Sequence, residues 1–92
     1  MKKRNGKEDR YVLDSSAFFA LFEDEDGADV VQNLLDKAQE GDITVFSSFV
    51  SYTEVFYITY QEEGEEQAYR RVSLMDRLRI IRVDSSRELG LN

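Results

Sequence analysis

Apolar positions between residues 11 and 83 alternate between short continuous runs and stretches with helical spacing. Tyr11–Leu13 is apolar on both faces, which predicts a buried strand that ends at Asp14. Ser15 and Ser16 then predict a helix start, because a hydroxyl can accept a hydrogen bond from a free backbone N–H group. Residues 17–22 continue as a short apolar helix.

A second helix is predicted over residues 28–39, where Val31, Leu34, Leu35 and Ala38 recur at helical spacing. Gly41 is expected to end it in a left-handed conformation. Ile43–Phe46 is rich in β-branched and aromatic residues and predicts a second strand. Ser47 or Ser48 is then expected to cap the next helix.

That third helix, residues 49–62, is apolar nearly all round, so we expect neighbouring structure to cover most of it. Further helical spacing predicts a fourth helix over residues 65–78. Ile80, Ile81 and Val83 predict a third strand, and a last helix is expected to begin near Ser85. Strands alternating with helices indicate an α/β fold with a parallel sheet, in which ligands bind beyond the carboxyl ends of the strands.

Composition restricts the chemistry that such a domain can perform. The 92 residues suffice for one domain, and they include no cysteine and no histidine. Thiolate sites, disulfides and imidazole catalysis are therefore excluded. Carboxylates remain, and carboxylates with water favour hard cations such as Mg²⁺ or Mn²⁺.

Charge is unevenly distributed along the chain. The net charge is −7, but residues 1–10 hold five basic and two acidic side chains. This segment is expected to be a flexible basic leader, or else an arm that attracts phosphates. The acidic remainder suits a site that collects divalent cations, or a surface for a basic partner. No signal-peptide core or membrane-length apolar run is seen, so a cytoplasmic location is expected.

Two carboxylates are candidates for a functional site. Asp14 follows the first strand, where either an active-site acid or a helix N-cap is expected. Glu54 is the only charged side chain between Ser47 and Gln61. If buried, it would need a metal ion or a partner. The alternatives are that it lies on a solvent-facing stripe or pairs with Arg79 or Arg82.

Three segments together resemble the PIN-domain family. Residues 11–22 resemble its opening strand, its Asp-Ser-Ser motif and its apolar helix. Residues 45–57 resemble its second block, in which a strand and serines lead to a helix that carries the second acid, here Glu54. Residues 78–84 resemble its third strand. The likeness is nearest to VapC-type toxins of toxin–antitoxin pairs, and it covers nearly the whole chain.

The resemblance implies a three-layer α/β/α fold and a metal-dependent endoribonuclease that acts on single-stranded RNA. Asp14 and Glu54 would bind Mg²⁺ or Mn²⁺, and Ser16 matches a polar position beside the first acid. It also implies an antitoxin protein as a partner. Such domains continue through a third and commonly a fourth acid and a further strand that flanks the first. Residues 11–92 are therefore expected to form only the N-terminal portion, whether as a natural truncation or as a fragment.

Two consequences follow from an incomplete domain. Its metal site would hold Mg²⁺ weakly and be inactive alone, because Mg²⁺ needs several anionic partners. Tyr11–Leu13 would form an exposed sheet edge, so we expect a homo-oligomer, formed through that edge or through residues 49–60. The alternative function is a non-catalytic interaction module derived from the PIN fold. A receiver-like or phosphatase-like domain is disfavoured, because no second acid adjoins Asp14.

Overall fold

A computed structural model describes residues 9–84, which form seven elements in the order that the sequence predicts. The bounds are β1 Asp9–Val12, α1 Ser15–Phe22, α2 Ala28–Gln39, β2 Ile43–Ser48, α3 Phe49–Glu63, α4 Glu65–Arg77 and β3 Ile81–Val83. The predicted helix near Ser85 and most of the basic leader lie outside the described residues. Within residues 9–84, no helix is both long enough and apolar enough to cross a bilayer.

The three strands form a parallel sheet with the order β1-β2-β3. Tyr11 pairs with Val45, and Phe46 pairs with Ile81. Alternate residues of β2 are buried, namely Ile43, Val45 and Ser47, so one face of the central strand lies in the core. Because all strands run the same way, their carboxyl ends meet at one edge of the fold.

Local capping places the helix starts at that edge. Asp14 caps α1, because its side chain accepts a hydrogen bond from the backbone N–H of Ala17. The sequence offered Asp14 as well as Ser15 and Ser16 for this task, and the aspartate performs it. Ser48 caps α3 by accepting from the backbone N–H of Ser51 at 3.2 Å. Gly41 follows α2 with φ +86, as the left-handed ending of that helix requires.

One apolar core joins the sheet to the helices. Phe18, Val55 and Met75 are fully buried, and Val45 of the central strand is 1% exposed. Each comes from a different element, so the core holds α1, α3, α4 and β2 in fixed relation. Phe18 also contacts Tyr52, with ring centroids 6.3 Å apart, and this contact ties α1 directly to α3.

Strand β1 lies at the edge of the described sheet. Tyr11 and Val12 are 37% and 46% exposed, as expected of an uncovered edge strand. Leu13 departs from that expectation, because it is 5% exposed and packs in the core. The backbone N–H of Leu13 continues the ladder by donating to the carbonyl of Phe46 at 2.9 Å.

Candidate active site

The parallel sheet brings the two candidate carboxylates to the same edge of the molecule. Asp14 directly follows β1 and caps α1. Glu54 lies in the second turn of α3, which begins directly after β2. Because β1 and β2 are adjacent and parallel, α1 and α3 both begin at the carboxyl-terminal edge of the sheet, as expected for a site in an open α/β sheet.

A side-chain hydrogen bond joins the two halves of this site. The Oγ of Ser15 donates to Oε1 of Glu54 at 2.8 Å, across 39 residues of sequence. Ser15 directly follows Asp14 in the chain, so this bond places Glu54 at the start of α1, one residue along the chain from the first acid. Asp14 uses Oδ1 to accept the Ala17 N–H at 3.2 Å, which leaves its second carboxylate oxygen for another ligand.

Both carboxylates are exposed, which corrects the view of Glu54 as a buried charge. The solvent-facing alternative describes its position. Neither proposed ion pair forms: Arg79 donates to the carbonyl of Gln39, and Arg82 lies over the rings of Phe49 and Tyr52. Exposure suits a hydrated cation, since Mg²⁺ keeps several of its waters when it binds.

Ser47 supports the site from within the core. Its hydroxyl is fully buried and donates to the carbonyl oxygen of Leu13 at 2.7 Å. This bond fixes the end of β1, and with it Asp14, against the end of β2. Sequence reasoning treated Ser47 only as a candidate helix cap, because the partner carbonyl is 34 residues away.

The serines of the first motif have separate surroundings. Ser15 starts α1 and contacts Glu54, whereas Ser16 is exposed in the same turn. Sequence reasoning favoured Ser16 as the polar site residue and left open that either serine orients an acid. The contact to Glu54 makes Ser15 a further site residue, and no sequence signal identified its partner.

The arrangement supplies two carboxylates and a hydroxyl, which are the oxygen ligands that hard cations prefer. It is nevertheless small: no group of three or more acidic residues suited to hold a metal ion occurs within residues 9–84. The ligand type therefore fits Mg²⁺ or Mn²⁺, and the number of ligands supports only weak binding.

An aromatic groove of about 480 Å³ lies on the neighbouring face of α3. It is lined by Phe49, Tyr52, Thr53, Phe56, Tyr57, Val72 and Arg82. Burial raises the pKa of Tyr52, the charge of Asp76 raises it further, and Arg82 opposes both. Tyr52 therefore stays a neutral phenol at physiological pH, and its ring serves as a wall of the groove.

Comparison with known proteins places the chain in a family. The family model for the PIN domain matches residues 11–90, which is most of the chain. No curated protein and no solved structure matches it. The matched region contains both candidate acids, strands β2 and β3, and the last two residues of β1.

Proposed function

Because the chain belongs to the PIN domain family, which is associated with nuclease activity, RNA and divalent metal ions, we propose that it is a metal-dependent endoribonuclease for single-stranded RNA. One observation carries this proposal. The hydrogen bond from Ser15 to Glu54 joins the second acid to the residue that directly follows the first, although the two motifs are far apart in sequence.

Each residue at the sheet edge has a distinct task in this proposal. Asp14 and Glu54 hold one Mg²⁺ or Mn²⁺ ion, Ser15 fixes the Glu54 carboxylate, and the exposed Ser16 hydroxyl orients a water molecule. When bound, such an ion polarises the scissile phosphate and lowers the pKa of water. The Asp14 carboxylate is also held in place, because it accepts a hydrogen bond from the backbone N–H of Ala17 at the start of α1.

Two carboxylates do not complete such a site. No third acid joins them within residues 9–84, so we propose that another segment or a second chain supplies it. This requirement makes activity dependent on a group outside residues 9–84 or on association with a second chain.

Cleavage of RNA tests the proposed activity. The full natural protein is expected to cut a single-stranded oligoribonucleotide in the presence of Mg²⁺ or Mn²⁺, and to spare the same strand in a duplex. Addition of EDTA removes the ion and should stop the reaction. Electrophoresis of end-labelled RNA measures both results. Failure of the full-length protein to cut any single-stranded RNA with either ion would contradict the enzymatic proposal.

The biological setting that we propose is a cytoplasmic toxin–antitoxin pair. The aromatic groove beside Glu54 supports a protein partner, because an amphipathic helix can lay its apolar face into such a groove. An antitoxin helix in this groove would contact a face of α3 that is adjacent to the face carrying Glu54. It would also cover part of the apolar surface that the described residues leave exposed.

The second candidate function is a non-catalytic interaction module. The exposed surface of α3 favours it, since large apolar side chains there face solvent: Phe49, Val50, Tyr57, Ile58 and Tyr60. So many large apolar side chains exposed on one helix favour an interaction site there. This function predicts folding and association without any response to divalent cations.

Self-association through α3 is a testable part of both candidate functions. Tyr60→Lys places a charge on this apolar surface, where Tyr60 is 48% exposed, and is expected to shift the protein toward monomer. Val30→Lys is the matched control, because Val30 is 63% exposed on α2, away from that surface. Sedimentation velocity over a concentration series measures the change. A wild-type protein that stays monomeric at high concentration would exclude the association.

A further inference from the structure

Arg71 is a buried charge far from the candidate site. It lies on α4, is 5% exposed, and its guanidinium group contacts α1 and α3 in their carboxyl-terminal parts. Nη1 donates to Oε2 of Glu23 and to Oγ1 of Thr59, both at 3.3 Å. Nη2 donates to Oε2 of Glu63 at 3.0 Å, and the group lies 5.3 Å from the ring centroid of Phe22.

Net stability alone is a weak reason for a buried ion pair at this place in the fold. Removing a guanidinium from water is costly, and a buried ion pair often stabilises no more than well-packed apolar residues do. The Nε of Arg71 is buried and has no hydrogen-bond partner within the described residues. Buried ionic groups of this kind are best attested as devices that fix one geometry among several.

The partners of Arg71 show which geometry it fixes. Phe22 and Glu23 lie at the end of α1, whereas Thr59 and Glu63 lie in the second half of α3. The opposite ends of these two helices carry the candidate site. The contact between α1 and α3 is therefore held by Ser15–Glu54 at the site, by Phe18–Tyr52 within the core, and by Arg71 at the far end.

We propose that Arg71 is a positioning residue that sets the spacing of α1 and α3, and so the separation of Asp14 and Glu54. The inference rests on the proposed function for its consequence at the metal site, but its structural part stands on the contacts alone. A shift of α1 against α3 would move Asp14 relative to Glu54, and one ion could then no longer bind both carboxylates equally well.

Spin labels measure the spacing directly. The natural chain has no cysteine, so Ser16→Cys and Val50→Cys place two labels at exposed positions near the starts of α1 and α3. Pulsed electron paramagnetic resonance is expected to give a single narrow distance for this labelled pair. Adding Arg71→Met should broaden or lengthen it, whereas Arg71→Lys, which keeps the charge, should restore part of the wild-type distribution.

Arg70→Met is the matched control. Arg70 is the neighbouring residue on α4, but it is exposed, and within residues 9–84 it pairs only with Glu66 of its own helix at 3.4 Å. This change should leave the label distance at its wild-type value. If Arg71→Met fails to fold, Glu63→Gln takes its place, since it weakens the shortest of the Arg71 contacts and leaves the guanidinium paired with Glu23.

Metal binding gives the second readout. It is measured on the unlabelled proteins through the electron paramagnetic resonance signal of free Mn²⁺, which falls as the ion binds. Arg71→Met is expected to weaken Mn²⁺ binding by about tenfold, as changes to residues that orient metal ligands do. An unchanged label distance in a folded Arg71 variant would overturn the proposal. So would an equal change in Arg70→Met. If the wild type binds no Mn²⁺, the metal site fails, and the label distances alone decide the role of Arg71.

Discussion

Replacement of Glu54 by glutamine is expected to reduce RNA cleavage by at least about a hundredfold in a form of the protein that is active with Mg²⁺. Glutamine has the same shape and can still accept the hydrogen bond from Ser15, so the position of the side chain should hold. The change removes the negative charge that a hard cation requires. Single-turnover cleavage of a labelled RNA measures the rate.

Glu62→Gln is the control for this substitution. Glu62 is exposed on the same helix, nearly at its end, and the change removes the same charge away from the sheet edge. It should leave the cleavage rate within about twofold, because surface charges contribute little outside a site. A Glu54→Gln protein that cleaves RNA at the wild-type rate would remove Glu54 from the proposed active site.

The largest expected loss of stability follows from Phe18→Ala. Phe18 is fully buried at the junction of α1 with α3, and its ring contacts Tyr52. Truncation leaves a cavity and is expected to lower the free energy of unfolding by about 3–5 kcal/mol. This is a large part of the roughly 5–15 kcal/mol that stabilises a typical domain. The melting temperature should fall by more than about 12 °C, and thermal unfolding measures it.

Phe49→Ala gives the comparison for that result. Phe49 is 51% exposed, so truncation removes less buried apolar surface and should cost about 1 kcal/mol or less. Equal losses for the two substitutions would mean that α1 does not pack on α3 through Phe18. The candidate site would then lack its rigid support.

Much of the fold was predictable from the sequence, because local pattern and packing agree in most elements. Residues 28–39 repeat apolar positions at helical spacing, and α2 has these bounds in the structure. The order of strands and helices and the parallel direction of the sheet are likewise confirmed. Predicted strand ends were less accurate: β1 begins at Asp9 and β2 extends to Ser48, since pairing with a neighbour decides where a strand stops.

The apolar helix α3 shows where a composition argument fails. Its sequence predicts cover on most sides, yet Tyr57 and Tyr60 are 60% and 48% exposed within the described part of the chain. The apolar neighbours of Glu54 in sequence likewise suggested a buried carboxylate, with a solvent-facing position as the alternative. Glu54 is exposed in the structure, so its charge remains in water.

The residues of the candidate site and those that support it differ in how far away in sequence their contacts lie. Asp14 and Glu54 are recognisable because each follows a strand and belongs to a local motif. Ser15, Ser47 and Arg71 act through partners that are 39, 34 and up to 48 residues away. No local pattern encodes such pairs, so only the folded arrangement reveals them.

Binding of Mn²⁺ to the wild type and to three variants tests the central claim most directly, with thermal stability as the readout. Mn²⁺ should raise the melting temperature of the wild type, since a ligand bound only by the folded state stabilises it. Asp14→Asn keeps a good helix cap, yet it should remove most of this rise, as should Glu54→Gln. Asp26→Asn, in the acidic turn after α1, should retain it. A rise that survives loss of either carboxylate, or no rise in the wild type, would contradict a cation shared by Asp14 and Glu54.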